Sequence, residues 1–221
     1  MGEQRLVWDI PTRVFHWLLA VSFAGAFLTA ESERYRDIHV VLGYTLLGLI
    51  AFRLLWGFAG SRYARFRSFL FKPAEIVAYV AALARGKPAH YAGHNPAGSV
   101  AVFALLALGI ASGVTGVVVF QDAGGDTLEE LHEVLSNAML GVVALHIAGV
   151  LVSSLLHREN LVRAMITGRK PARPNEGIRR SHAVMGVIMV ALTVAFWLGY
   201  PATGLMQSND IVLQSGQRGD H

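Results

Sequence analysis

The chain contains no cysteine. That absence excludes disulfides, thiolate-bound iron–sulfur clusters, Cys-based zinc sites and thioether-linked c-type haem. Any metal or cofactor must therefore be held by histidine, carboxylate or methionine. Charge is scarce as well: 15% of the 221 residues are charged against 53% hydrophobic, with a mean hydropathy of +0.45. Soluble domains carry about 25% charged residues, so this composition points to a polytopic membrane protein. The N-terminal stretch "MGEQRLVWDIPTRVFHW" lacks signal-peptide anatomy, because no small-residue cleavage site follows its apolar run. The first span is expected to be retained.

Five apolar stretches are long enough to cross a bilayer, which takes roughly 20 residues. They are Val14–Ala30, Ile38–Phe58, Ala97–Phe120, Val134–Leu156 and Ala183–Tyr200. None contains Asp or Glu. Ahead of the first, Asp9 or Thr12 can cap the helix and Pro11 suits its first turn; Asn95 before Pro96 can cap the third. Arg53 lies near the end of the second span, where an arginine can snorkel to the interface.

The loops divide sharply by charge. Residues 61–96 carry six basic side chains against Glu75, and residues 157–181 carry seven against Glu159 and Glu176. The opposite loops, "ESERYRD" and "QDAGGDTLEEL", are acidic on balance. The positive-inside rule then predicts a cytoplasmic N-terminus and an external C-terminal tail. The net charge of +4 is explained by this topology, so no nucleic-acid partner is expected. "KPAEIVAYVAALARGK" and "RENLVRAMITGRK" read as short helices on the membrane surface.

Histidine carries the functional signal, because an ionisable group inside a span usually has a task there. His132, just ahead of the fourth apolar stretch, and His146 within it lie fourteen residues apart on one expected helix. That is close to four helical turns and about 21 Å, so both imidazoles share one face near opposite membrane surfaces. Topology offers each a partner at similar depth: His39 for His132 outside, and His16 for His146 inside. Two opposed imidazoles at each level are the ligand set of a six-coordinate b-type haem in a dry helical bundle. Each histidine alone could instead bond a carbonyl of a neighbouring helix. The inner pair matches less well, which requires a tilted fourth helix or an earlier start to the first. Gly43, Gly113, Gly116 and Gly141 would admit a flat macrocycle, although small residues also serve ordinary helix packing.

The remaining candidates have simpler readings. His90 and His94 sit among turn residues and are expected to be solvent-exposed or to start the third span. His157 complements a helix C-terminus, His182 is interfacial, and Met139 and Met185 are packing residues.

The motifs "DIPTRVFHW", "HVVLGYTLLGLIAFRLLWGFAGSRYARF", "GHNPAGSVAVFALLALGIASGVTG" and "LHEVLSNAMLGVVALHIAGVLVSSLLHRENLVRAMITGRK" occur in order. Over about Val7 to Lys170 the chain resembles the bacterial cytochrome b561 and nickel-hydrogenase b-type cytochrome family. The resemblance implies an all-α integral membrane protein of the bacterial inner membrane, built as a four-helix haem-binding bundle. It places two haem b groups on His16, His39, His132 and His146, and it implies exchange of electrons with quinone and a periplasmic redox protein such as a c-type cytochrome or hydrogenase. Arg53 and Arg65 inside, with Arg13, are candidates for the haem propionates; Arg34, Tyr35 and Arg36 are the outer ones. Trp17 is a candidate wall of a quinone site. Residues 1–170 are expected to form the four-helix haem domain of this type. Residues 171–221, a linker, a fifth C-terminal transmembrane helix and a tail, depart from it.

Three functions compete: dihaem electron transfer, oxidation of superoxide at an outer haem with quinone as acceptor, and a non-haem transporter or metal carrier using the histidines as proton or ion sites. Acidic outer loops disfavour an anionic substrate, and spans without carboxylates disfavour a transporter.

Overall fold

The computed structural model describes residues 3–200; the expected external tail, residues 201–221, lies outside the described residues. Among the described residues seven α-helices form: α1 (Ile10–Thr29), α2 (Arg36–Ala59), α3 (Pro73–Ala84), α4 (Pro96–Phe120), α5 (Gly125–His157), α6 (Leu161–Thr167) and α7 (Ala183–Gly199). Two three-residue strands, β1 (Gln4–Leu6) and β2 (Arg169–Pro171), join them. Helices α1, α2, α4 and α5 are long and apolar enough to cross a membrane. The fold is an all-α membrane bundle, as the hydropathy predicts.

The bundle is two helical hairpins. α1 packs along α2, α4 packs along α5, and the hairpins meet through α2 and α4. All four spanning helices alternate direction. One end of the bundle therefore gathers the basic loops, and the other the acidic ones; we call these the basic and acidic ends. α7 lies outside this unit against α1. A Cβ at Gly186 would come within 2.5 Å of Ile10, and Trp197 Nε1 donates to Thr45 Oγ1 on α2 at 2.9 Å. With 17 residues, about 25 Å of helix, α7 is shorter than the four spanning helices.

Helix starts explain two departures from the hydropathy reading. α1 begins at Ile10, a full turn before Val14, because Asp9 caps it: Oδ1 accepts from Thr12 N at 2.8 Å, with Pro11 in the first turn. α5 begins at Gly125, nine residues before Val134. Its first turns carry exposed Asp126, Glu129 and Glu130, which look like loop on a hydropathy scale but suit a helix N-terminus. Gly124 at φ 102° and Gly125 at φ 57° make the tight turn from α4.

A small polar-side cap covers the basic end, and its strands are too short to leave a periodic signal in the sequence. β1 and β2 pair antiparallel with Arg5 opposite Lys170. Val7 N and Trp8 N donate to Gly168 O, and Ile178 N donates to Leu6 O. Val7, Trp8, Tyr63, Ala92, Ala164 and Ala172 form its buried core. The expected surface helices are present as α3 and α6. α3 buries Tyr79 and leaves Val77 and Val80 exposed.

Asp9 ties this cap to the bundle. It is fully buried, and its Oδ2 accepts from Trp56 Nε1 at 3.0 Å near the end of α2. Replacing it with Ala removes a helix cap and strands a buried indole N–H, together about 2–4 kcal/mol. Asp9→Ala should therefore lower the thermal midpoint in detergent markedly, while Asp37→Ala, at an exposed helix start, should change it little.

Candidate cofactor site

The four histidines singled out by spacing come together as two pairs. The His39 and His132 rings lie 6.2 Å apart, centroid to centroid, toward the acidic end. Those of His16 and His146 lie 6.4 Å apart toward the basic end. The extra turn at the start of α1 settles the depth mismatch of the second pair, since it sets His16 six residues inside its helix.

At the acidic end, each hairpin pins one imidazole. His39 Nδ1 on α2 lies 2.8 Å from Ala26 O on α1. His132 Nδ1 on α5 lies 2.9 Å from Ser112 O on α4, with Thr115 Oγ1 at 3.3 Å. A carbonyl only accepts, so both Nδ1 atoms carry hydrogen and both Nε2 atoms keep a free lone pair. That is the tautomer a metal ligand needs, held as such ligands generally are.

Small residues divide differently from expectation. Gly43, one turn from His39, has open space where a Cβ would point. Gly116 fits closely against His132, where a Cβ would lie 2.9 Å from ring Cε1, so it seats the imidazole. Gly113 is a packing contact against Leu47. Gly141 lies two and a half turns from His132, on the opposite and exposed face of α5, and cannot adjoin the pair. Met139 is buried, close to the Gly109 position, as a packing residue.

The basic end differs: it is rich in buried donors without acceptors. His16 Nδ1, His94 Nδ1, Arg53 Nη1, Arg65 Nε and Arg13 Nε are all buried and unbonded. Arg53 does not snorkel. It is 3% exposed, with its guanidinium 4.8 Å from the Phe66 ring centroid and 5.9 Å from that of Phe69. Arg13 Nη1 donates to Ile166 O, and Trp17, edge-on to His16, reaches Met165 O with its indole nitrogen at 3.4 Å. Arg34 and Arg36 at the acidic end are exposed.

Sequence reasoning missed His94 and Lys170. His94 is not a solvated turn residue: its ring centroid lies 4.8 Å from that of Trp8 and 4.4 Å from that of Phe69. Burial, with Arg53, His146, Lys170 and His16 around it, holds its pKa down to about 3. Lys170 is buried with Nζ donating to Tyr91 O at 3.0 Å, 3.6 Å from Glu159. Burial lowers its pKa and Glu159 partly restores it. His90 Nε2 meets the same Glu159 at 2.6 Å, with His157 beside it. A residue's enclosure by a cap of short loops leaves no mark on spacing, so no sequence signal could have found either.

These residues fit a haem. A metal–imidazole bond is about 2 Å and a ring centroid about 1.2 Å beyond the nitrogen, so two trans imidazoles on one metal have centroids about 6.3 Å apart. Orphaned guanidinium groups suit carboxylates that the protein itself does not supply. The model of the prokaryotic cytochrome b561 family matches residues 7–168. The chain belongs to that family. No curated protein and no solved structure matches it. Membership makes this b561 protein a multi-pass membrane electron carrier that binds b-type haem.

The buried imidazole of His94 also makes the protein acid-sensitive. Its pKa is about 3 in the fold against an ordinary value of 6.5, so the unfolded chain binds more protons between those values. Stability must then fall as pH drops below 6.5 and level off near 3. Thermal midpoints measured across that window should decline on acidification, and His94→Phe should flatten the decline. An unchanged slope would assign it to other groups.

Proposed function

We propose that this b561 protein is a dihaem cytochrome that passes electrons between the quinone pool and an extracytoplasmic redox protein. The observation that supports it most is the pairing of four histidines at two levels, with centroids 6.2 Å and 6.4 Å apart. His39 and His132 would hold one haem, and His16 and His146 the other. Bound haem b supplies one-electron chemistry. With two imidazoles available at each level, the chain would supply both protein ligands of each haem and leave no position on its iron for oxygen. Arg53 and Arg65, with unbonded buried nitrogens, would receive the propionates at the basic end.

The basic loops favour a cytoplasmic N-terminus in a bacterial inner membrane. Asp126, Glu129, Glu130 and Glu133 are exposed on the first turns of α5 at the opposite end. They suit a basic protein such as a c-type cytochrome and repel superoxide, which weighs against the oxidase reading. The apolar spanning stretches hold no Asp or Glu, which weighs against a transporter using the histidines as proton or ion sites.

The same charges favour electron flow toward the basic end. One positive charge about 10 Å away at an effective dielectric of about 20 stabilises an added electron by about 1.7 kcal/mol, or about 70 mV. Arg53 lies at that end, and quinone would be reduced there.

A pyridine haemochrome assay on the solubilised protein should give about two b haems per chain. His39→Ala, or Gly116→Val acting through His132, should leave one. Loss of both, or of neither, would contradict separate sites. In an optically monitored redox titration, Arg53→Gln should lower one potential by tens of millivolts and leave the other nearly fixed. A uniform shift would mean that Arg53 lies near neither haem in particular.

A further inference from the structure

A cavity of about 290 Å³ opens at the basic end between the loop that follows α2 and the segment that leads into α7. Ser61, Arg62, Arg179, Arg180 and His182 line it with the backbone at Gly177, and no acid does. None of the three arginines belongs to an ion pair among the described residues. Arg62 gives one nitrogen to Asn175 O at 3.0 Å. Ser61 is only 8% exposed, yet its Oγ has no hydrogen-bond partner. A buried hydroxyl without a partner is disfavoured unless something else bonds it. α7 starts at the same wall with His182 as N-cap and no side-chain cap, so its first N–H groups add a positive pole. A neighbouring cavity of about 530 Å³ shares Gly177, Ile178 and Arg179 but has Glu3 in its wall, paired to Arg5. One of its arginines already has an acid as partner, whereas none in the first cavity does.

We propose that the cavity binds the phosphate of an anionic phospholipid headgroup. Ser61 and the N-terminus of α7 would donate to the phosphate oxygens, while Arg62, Arg179 and Arg180 neutralise it. A lipid fits better than a soluble anion because of what adjoins the site. Leu55 and Phe58 on the last turns of α2, and Val184 and Val187 on the first turns of α7, are among the most exposed apolar side chains. They offer acyl chains a surface next to the charged cavity. Basic pockets between membrane helices are a known class of lipid site. The inference needs only the membrane bundle and is independent of the electron-transfer reading.

The test uses the full-length haem-loaded protein in mixed micelles of phosphatidylglycerol and phosphatidylcholine, followed by native mass spectrometry. One phosphatidylglycerol per chain should survive activation that strips phosphatidylcholine. Arg179→Gln/Arg180→Gln should weaken that retention roughly tenfold, and Ser61→Ala should weaken it to a smaller degree. The charge-matched Arg85→Gln/Lys87→Gln pair, which lies outside the cavity, should leave it unchanged, with the haem spectrum confirming the fold in each case. Equal loss in the charge-matched pair would reduce the effect to general surface charge and overturn the site. So would full retention in the cavity variants. Binding of inorganic phosphate without preference between the two lipids would replace the lipid by a free anion and overturn the assignment.

Discussion

Two hydrogen bonds from imidazole nitrogens to main-chain carbonyls set the terms for the rest of the molecule. Inside a bilayer no water is available to satisfy a histidine, so each ring nitrogen must find a partner within the protein or its ligand. His39 is bonded to Ala26 O on the neighbouring helix of its own hairpin, and His132 to Ser112 O on its own. Each hairpin thus folds with its histidine already oriented and with one nitrogen left over. When α2 meets α4, the two remaining nitrogens belong to rings 6.2 Å apart. The pair is a product of hairpin packing, and Gly116 leaves the room in which the His132 ring is seated.

The basic end is organised on the opposite principle. Its rings and guanidinium groups are enclosed beside aromatic side chains, and each keeps one buried nitrogen without a partner. Five buried donors in one region would be unfavourable in a finished apolar core. They make sense where a group carrying its own carboxylates or carbonyls is to be received. The cap of β1, β2 and the surrounding loops holds Trp8 against His94 and buries Lys170, so it closes the end of the bundle that the loops would otherwise leave wet. Asp9 makes the link: one oxygen starts α1, and the other holds the indole of Trp56.

Much of this was legible in the sequence because bilayer thickness and helical rise are strong constraints. The spans, their alternation, the four histidines and the caps at Asp9 and Asn95 follow from them. What was not legible depended on contact. The start of α5 was hidden because acids on a helix N-terminus have the hydropathy of a loop. His94 read as solvated or as the entry to the third span because its neighbours in sequence are turn residues, whereas its neighbours in space are Trp8 and Phe69. Gly141 and Gly43 look alike in the sequence, but only Gly43 shares a face with a histidine, which is a matter of a few residues' helical phase.

Scarcity of charge gives each charged residue more than one consequence. The acids on the first turns of α5 complement that helix's dipole, leave the acidic end without a compensating surplus of bases, and present a negative surface beside the His132 pair. The arginines and lysines of the opposite loops bias topology, supply unbonded donors near the His16 pair and line an acid-free cavity beside α7. Topology alone would be satisfied by basic residues anywhere in those loops. It does not require Arg53 to be buried over two phenyl rings, nor Lys170 to be enclosed at 5% exposure. Desolvating a cation is unfavourable by several kcal/mol, and insertion into the membrane gives no return for it. Lys170 is compensated within the cap by Tyr91 O and Glu159, whereas Arg53 keeps Nη1 unbonded, which is why the proposed reading gives Arg53 and not Lys170 to the bound group.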